Sequence, residues 1–332
     1  MKVLQIYRKP NPSFFSIEKV FTILAPYFER EVQLKAVYMP SFTSGLLSVF
    51  KNIAFGRRLR QFDVCHVTGD VHYMVLAYQA SKTILTIHDC VFLYNYKGLR
   101  KAVLKFLLLD LPVRHARVIT TISAFTKADI VRYTGCRPDK VVVIPNPAGD
   151  RITFAPKPFN EQCPTILFVG TTANKNLERT VEALTGQKCR LCILGFPSAE
   201  QLNLLNEAGI DFFLQQSLSE AALNQLYADI DIVLFPSLFE GFGMPVLEAQ
   251  SAGRILITSN IEPMKSIAGD GAYLVDPYSA RSIRLAIAAV RANRQLRDSL
   301  IQKGFVNLSA FSRELVAQQY LQLYHSLNTN NT

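Results

Sequence analysis

The chain has 332 residues, 49% of them hydrophobic, which suits two α/β domains and excludes an intrinsically disordered protein. Apolar runs fall short of the roughly 20 residues that span a membrane, and the start of the chain turns polar too soon for a secretory signal, so we expect a cytoplasmic protein. The net charge is +10, and residues 1–155 carry a net of +12, with 22 Lys and Arg against 10 Asp and Glu. This basic half favours an anionic partner such as nucleic acid, a phosphate-bearing substrate or an acidic membrane surface.

Short β-branched runs alternate with amphipathic segments of helical length, which is the pattern of parallel sheets covered on both faces. The predicted strands of the first half are 3–7, 64–67, 84–87, 118–122 and 141–144. The predicted strands of the second half are 165–170, 189–195, 211–214, 232–235, 255–258 and 272–275. A polar, proline-bearing segment, 157–164, separates the two series. We therefore predict two Rossmann-like domains, 1–155 and 156–310, with a last helix in 311–332 packing back on the first domain.

Two Rossmann-like halves raise the alternative of a dehydrogenase. The first predicted strand runs into Arg8, Lys9 and Pro10, and no G-x-G-x-x-G turn follows it. A Walker phosphate loop is absent as well. The sequence therefore argues against nicotinamide, flavin and P-loop nucleotide chemistry.

The most informative segment is 235–253, which reads FPSLFEGFGMPVLEAQSAG. It predicts a strand, a turn rich in Gly and Pro, and a helix that starts near Pro245. Gly241 and Gly243 allow the backbone to approach a ligand, and the free amides at a helix N-terminus attract anions. Glu240 and Glu248 stand eight positions apart, one in the turn and one in the helix, so their carboxylates can contact different parts of one ligand.

This segment resembles the Glu-x7-Glu motif of glycosyltransferase family 4, the group 1 enzymes of the GT-B fold. Four further segments are similar to that family and occur in its order: ILTIHD at 84–89, TISAFTK at 121–127, VVIPNP at 142–147, and FVG at 168–170 followed by NKNL at 174–177. The resemblance implies an α/β GT-B fold, in which two Rossmann-like parallel-sheet domains face each other across a cleft.

The resemblance also implies roles for individual residues. Glu248 would bind the ribose hydroxyls of a nucleotide, and Glu240 would contact the transferred sugar. Lys175 would neutralise the leaving diphosphate, and His88 would lie near the sugar and the acceptor. Glu240, Lys175 and His88 are thus the catalytic candidates. The donor-binding candidates are Gly170, Asn174, Lys175, Gly241, Phe242, Gly243, Met244, Pro245 and Glu248.

As a member of this family, the chain would be a metal-independent retaining enzyme without a cofactor. It would move a hexose-type sugar from a UDP- or GDP-sugar donor to a glycan or lipid-linked acceptor in bacterial surface polysaccharide synthesis. Two alternatives stay open: a nucleotide-sugar epimerase or hydrolase on the same fold, and a non-catalytic nucleotide-binding subunit.

The sequence departs from the family pattern at several places, and two of these departures fall where relatives contact the donor phosphate. Asn174 stands where relatives carry a phosphate-binding Arg, so one positive charge is missing. The glycine-rich loop that follows the first strand in relatives is replaced here by residues 11–18. Both departures concern substrate identity more than reaction class.

For the remaining histidine, acidic and cysteine candidates we expect structural roles. A structural or loop role is expected for His66 and His72, and Asp229 with Asp231 leads into a strand, so the pair is not a metal-binding D-x-D. The six cysteines are expected to be free thiols.

The basic half contains two stretches, 46–62 and 96–109, in which apolar residues interleave with Lys and Arg. Helices of this composition bind anionic bilayers, so we expect peripheral association with the inner face of a membrane. No recognised nucleic-acid module occurs, which argues against nucleic acid as the anionic partner.

Overall fold

The computed structural model describes residues 1–10, 16–42, 45–59, 61–91, 93 and 97–329. The chain divides into two compact units: Met1–Pro147 with Ser312–Thr332, here unit 1, and Ala148–Phe311, here unit 2. Each unit contains one six-stranded sheet whose neighbouring strands all pair in parallel. The prediction of an α/β fold with two parallel sheets is confirmed.

Unit 1 has the strand order β2-β1-β3-β4-β5-β6. Its strands are β1 (Lys2–Tyr7), β2 (Gln33–Tyr38), β3 (Val64–Val67), β4 (Thr83–Ile87), β5 (Val118–Thr121) and β6 (Val141–Val143). The helices within Met1–Pro147 are α1 (Ser16–Phe28), α2 (Leu46–Arg57), α3 (Gly98–Lys105), α4 (Leu111–His115) and α5 (Ala124–Thr134).

Unit 2 has the strand order β12-β11-β10-β7-β8-β9. Its strands are β7 (Thr165–Val169), β8 (Arg190–Leu194), β9 (Phe212–Gln215), β10 (Ile232–Phe235), β11 (Ile255–Ser259) and β12 (Tyr273–Val275). Its helices are α6 (Leu177–Leu184), α7 (Ala199–Glu207), α8 (Glu220–Asp229), α9 (Met244–Ala252), α10 (Met264–Ala268), α11 (Ala280–Ala292) and α12 (Arg294–Leu308). The last helix, α13 (Arg313–Thr329), belongs to unit 1.

The core strands are buried along their whole length because helices cover both faces of each sheet. Every residue of β3, β4, β10 and β11 is buried. Helix α13 packs against α1, and Tyr320 and Tyr324 join Phe21 and Phe28 in one buried cluster. The apolar face of the C-terminal helix thus completes the core of unit 1.

The boundary between the units differs from the one predicted. It lies between Pro147 and Ala148, eight residues before the predicted end of the first domain. Residues 148–155 belong to unit 2 because their backbone bonds its helices: the Ala155 amide donates to the Ala252 carbonyl and the Thr153 amide to Asn224. The segment 157–164, predicted as a linker, also lies inside unit 2, where Lys157 pairs with Asp231.

The strand order of unit 2 reverses between β7 and β10. From β7 the chain builds outward through β8 and β9, then returns to add β10, β11 and β12 on the other side. Loops that leave two such strands at their carboxyl ends diverge and open a crevice where α/β proteins bind ligands. The loop after β7 contains Asn174 and Lys175, and the loop after β10 contains Glu240, so the topology brings these residues to the same crevice.

A buried polar network ties α13 to the sheet of unit 1. His66 on β3 is fully buried; its Nδ1 lies 2.8 Å from the Tyr324 hydroxyl and its Nε2 lies 2.7 Å from Thr86 Oγ1. The side-chain amide nitrogen of Gln5, Nε2, donates to the same Tyr324 hydroxyl at 3.2 Å. Burial lowers the pKa of His66 to about 3, so the ring is neutral in the folded protein.

The six cysteines are free thiols. Cys189 and Cys192 have the C-x-x-C spacing of many redox and zinc sites. Cys189, however, immediately precedes strand β8, and Cys192 lies within it. Three positions along an extended chain place two side chains on opposite faces, and Cys189 but not Cys192 joins the apolar cluster that contains Leu191 and Ile193. Among the described residues, no helix has the length and apolar character needed to cross a membrane.

Candidate functional site

The loop after β7 holds Lys175 close to the backbone. Gly170 adopts a φ of +86°, and a Cβ at this position would lie 2.9 Å from Lys175 Cε and 3.1 Å from Lys175 Cγ. The aliphatic part of Lys175 therefore lies directly over Gly170, a contact that only glycine permits. The Lys175 ammonium lies 4.8 Å from the centre of the Phe235 ring, at the end of β10. These contacts direct the charge of Lys175 towards the loop after β10.

Lys175 and Glu240 form a direct ion pair. Lys175 Nζ donates to Glu240 Oε1 at 2.6 Å, and the two side chains are only 19% and 13% exposed. The amide of Asn174 lies 3.4 Å from the same carboxylate oxygen. Two of the predicted catalytic residues are thus in contact, 65 positions apart in the sequence, and they neutralise each other's charge.

Two asparagines fix the loop after β10 relative to the loop after β7. Asn174 donates its side-chain amide to the Phe239 carbonyl at 2.9 Å, and its own carbonyl accepts from the Leu238 amide at 2.7 Å. Asn176 is buried with a φ of +71°, and its side-chain amide donates to the carbonyls of Pro236 and Pro277. At the position where relatives carry Arg, Asn174 therefore bonds the Glu240 loop.

Helix α9 begins beside this pair. Gly243 precedes the helix with a φ of +104°, no side chain caps the helix, and Pro245 occupies its first turn. Gly243 packs under Phe235, since a Cβ there would lie 3.5 Å from the ring. Phe242 is buried against Phe311, which fixes the turn from below. The first amides of a helix have no intrahelical acceptors, so this end suits an anionic ligand.

Glu248 lies further along α9 and has two side-chain partners. The Tyr227 hydroxyl donates to Glu248 Oε2 at 2.6 Å, and Arg151 forms an ion pair with Glu248 Oε1. The Glu248 side chain is 9% exposed and that of Arg151 is 28% exposed. Burial raises the pKa of Tyr227, so its hydroxyl stays protonated and acts as a donor.

His88 belongs to unit 1 and follows strand β4. Its Nε2 lies 2.8 Å from the Thr68 carbonyl, so the Nε2–H donates to that oxygen. Burial lowers the pKa of His88 below its ordinary value, and the ring is therefore neutral near pH 7. A neutral ring that donates from Nε2 has Nδ1 as a hydrogen-bond acceptor.

The candidates form two groups within unit 2. Gly170, Asn174, Lys175, Glu240 and the 241–245 turn surround the crevice between β7 and β10. Glu248 sits one turn deeper in α9 with Tyr227 and Arg151. Arg151 and Tyr227 are not among the residues predicted from the sequence. Arg151 falls within the predicted first domain, 1–155, and nothing in the sequence distinguishes Tyr227 from a core tyrosine.

Asp231 and His72, for which a structural role was predicted, bond to backbone groups. Asp231 pairs with Lys157 and accepts from the amides of Asn160 and Thr165. His72 Nδ1 donates to the Leu108 carbonyl at 2.7 Å. In the part of the chain that the structure describes, no three His, Cys, Asp or Glu side chains converge as a metal site. The substituted loop after β1 lies partly outside the described residues, since residues 11–15 are not among them.

Solved structures identify the class of fold. The chain matches sucrose-phosphate synthase from Thermosynechococcus elongatus over 99% of its own length and 100% of that chain, with a TM-score of 0.80 and 14% identity. It matches Anabaena HepE, crystallised with UDP and glucose, over 98% and 100% of the two chains, with a TM-score of 0.77 and 12% identity. The protein therefore has the GT-B fold of glycosyltransferases.

Sequence comparison identifies the family. The profile described as "Glycosyltransferase Family 4" matches residues 14–148, and the profile described as "Glycosyl transferases group 1" matches residues 150–306. The two matches follow one another along nearly the whole chain. The chain belongs to the family 4 glycosyltransferases of group 1, as the resemblance of its motifs predicted.

One of the curated relatives is a mannosyltransferase. The O-antigen chain mannosyltransferase B of Escherichia coli is 25% identical over 235 residues, which cover 64% of this chain and 61% of that protein. The chain thus spans less than two thirds of the length of that relative.

Proposed function

We propose that the protein transfers a hexose-type sugar from a UDP- or GDP-sugar to a hydroxyl group of a glycan or lipid-linked acceptor, with retention of the anomeric configuration. The observation that carries the proposal is the Lys175–Glu240 ion pair, located where β7 and β10 diverge and beside the uncapped start of α9. Family membership and the name of the mannosyltransferase relative support a hexose donor and a surface polysaccharide as the product.

The cationic groups suit the diphosphate of the donor. Lys175 and Glu240 neutralise each other at 2.6 Å. A donor diphosphate would take over Lys175 and the amides at the start of α9, because both favour negative charge. Glu240, released from Lys175, would then accept hydrogen bonds from hydroxyls of the transferred sugar.

The same groups would stabilise the transition state. The bond between the anomeric carbon and the diphosphate oxygen breaks, and a bond from the anomeric carbon to the acceptor oxygen forms. The acceptor hydroxyl loses its proton, and a phosphate oxygen of the leaving group takes it up. Negative charge grows on the diphosphate during this step, so Lys175 lowers the barrier because it is fixed in place before the reaction.

His88 suits a role at a sugar or acceptor hydroxyl. Its Nε2–H is engaged by Thr68, and the neutral ring leaves Nδ1 as an acceptor at the carboxyl end of β4. We therefore assign it a hydrogen bond from a substrate hydroxyl rather than proton transfer by an imidazolium.

The surface of unit 1 suits an anionic membrane. Helix α3 has no buried residue, and Leu99, Val103 and Phe106 recur at helical spacing with exposures of 81%, 47% and 47%. Lys97 and Arg100 are exposed on the same segment, and α2 adds Leu47 at 79% exposure beside Lys51. Exposed apolar side chains flanked by cations are the pattern of interfacial helices, and an interfacial location would give the protein access to a lipid-linked acceptor. Two positions of the predicted stretches, residues 60 and 96, lie outside the described residues.

A ligand panel tests the nucleotide part of the proposal. Thermal unfolding is measured with UDP, GDP and ADP on the wild type and on Glu248→Ala. A nucleotide at 100 times its Kd stabilises the folded protein by about 2.7 kcal/mol. We expect UDP or GDP to stabilise the wild type and not the variant. Absence of stabilisation by all three nucleotides, on protein that unfolds cooperatively, would contradict the proposal.

A further inference from the structure

Arg151 and Tyr227 hold the Glu248 carboxylate from two sides. Arg151 pairs with Oε1, and the Tyr227 hydroxyl donates to Oε2 at 2.6 Å. We propose that Arg151 is a positioning residue for the donor nucleotide, which with Tyr227 fixes Glu248 so that its remaining acceptor positions meet the two ribose hydroxyls. This inference rests on the proposed function, in which Glu248 binds the ribose.

The number of hydrogen bonds supports this assignment. An ionised carboxylate has about four acceptor positions, two on each oxygen. Arg151 occupies one position on Oε1, and Tyr227 occupies one on Oε2. Among the described residues no other group bonds either oxygen, so one position remains on each. The 2′ and 3′ hydroxyls of a ribose are adjacent donors, and two adjacent acceptors are what they require.

Burial makes the cation necessary. The Glu248 side chain is 9% exposed, and a carboxylate removed from water is unstable in its ionised form without a cation or several donors. Arg151 supplies that charge from a segment that precedes β7, outside the Glu-x7-Glu motif. The planar guanidinium also fixes the direction of the carboxylate, which a flexible ammonium does less well.

A second ion pair of unit 2 shows how a purely structural pair differs. Asp231 is held by Lys157 and also by the backbone amides of Asn160 and Thr165. Its carboxylate fixes the chain before β7, at the amino end of the strands. Glu248 is instead held by two side chains, on the helix that starts at the crevice. The Lys157–Asp231 pair, with side-chain exposures of 27% and 2%, is therefore a matched control.

The test compares ribonucleotides with analogues that lack the two hydroxyls. Binding of UDP, GDP and their 2′,3′-dideoxy forms is measured by titration calorimetry on the wild type, Arg151→Met, Arg151→Lys and Lys157→Met. We expect Arg151→Met to lose about tenfold in affinity for the ribonucleotide, the effect of one hydrogen bond to a charged group, and less than about twofold for the dideoxy form. Arg151→Lys should recover part of the loss, and Lys157→Met should bind both nucleotides like the wild type.

The outcomes separate this inference from the proposed function. Wild-type protein that binds no nucleotide contradicts the proposed function itself. If the wild type binds and Arg151→Met retains its full affinity for the ribonucleotide, Arg151 does not position Glu248. Equal losses for the ribonucleotide and the dideoxy form also overturn the inference, because they indicate a contact with the diphosphate or a general structural defect.

Discussion

Replacing Lys175 with Met should separate catalysis from stability. The variant keeps a side chain of similar length over Gly170 but removes the charge that lies 2.6 Å from Glu240. Both partners are less than one fifth exposed, and among the described side chains Glu240 would keep the longer contact to Asn174, at 3.4 Å. We expect the free energy of unfolding of unit 2 to fall by about 1–2 kcal/mol, the cost of one charged hydrogen bond.

The effect of the same change on turnover should be much larger. Removing a fixed group that stabilises transition-state charge typically lowers kcat by about 10²–10³. The assay measures release of nucleoside diphosphate from the donor in the presence of acceptor, alongside thermal unfolding of the same samples. Lys157→Met is the control, because it also breaks a partly buried ion pair of unit 2 but at the other end of the sheet. A Lys175→Met enzyme with kcat within about threefold of the wild type would refute the role of Lys175 in the transition state.

Three further predictions follow from particular contacts. Gly170→Ala should lower the free energy of unfolding by about 1–2 kcal/mol, because alanine is strained at a φ of +86°, and should also lower turnover because its Cβ displaces Lys175. The control Gly186→Ala, at a φ of +75° with nothing within 4 Å of its Cβ, should cost similar stability and leave turnover unchanged. Equal turnover in both variants would count against the Lys175 contact. His66 is neutral when folded, whereas in the unfolded chain it binds a proton below its ordinary pKa of 6.5, so its contribution to stability is present above pH 6.5 and is lost as the pH falls towards 3. In denaturant titrations over this range, the free energy of unfolding of the wild type should change with a slope of about 1.4 kcal/mol per pH unit that His66→Asn lacks. Parallel curves for the two proteins would contradict the assignment. The double variant Leu99→Glu, Val103→Glu should lose at least about tenfold in binding to phosphatidylglycerol vesicles, whereas Val306→Glu, 75% exposed on unit 2, should not; equal binding by all three proteins would exclude the α3 surface.

The sequence predicted the strands that are buried on both faces because such strands are continuous apolar runs. Strand β2, at the edge of the unit 1 sheet, was not predicted. None of its residues is fully buried, and four of the six are exposed, including Gln33 and Lys35. An edge strand pairs with one neighbour only, here β1, so its composition carries less of the strand signal.

The grouping of the candidate site residues could be predicted in part for a related reason. Glu240, Lys175 and the glycines of the turn stand in recognisable motifs, and their meeting follows from the strand order of the sheet. Arg151 and Tyr227 stand in no motif, and their approach to Glu248 depends on how the 148–155 segment packs on unit 2. A boundary set at a proline-rich segment assigned Arg151 to the other domain, so only the structure relates it to Glu248.

The most direct test of the central claim follows the fate of the donor sugar. Purified protein is incubated with UDP- and GDP-hexoses and a lipid-linked glycan acceptor, and the products are analysed by proton NMR. We expect nucleoside diphosphate to appear together with a glycoside that has the anomeric configuration of the donor, and both to form about 10²–10³ times more slowly with Lys175→Met. Free sugar without glycoside, an epimerised donor, or nucleotide binding without turnover would contradict the assignment of a retaining glycosyltransferase.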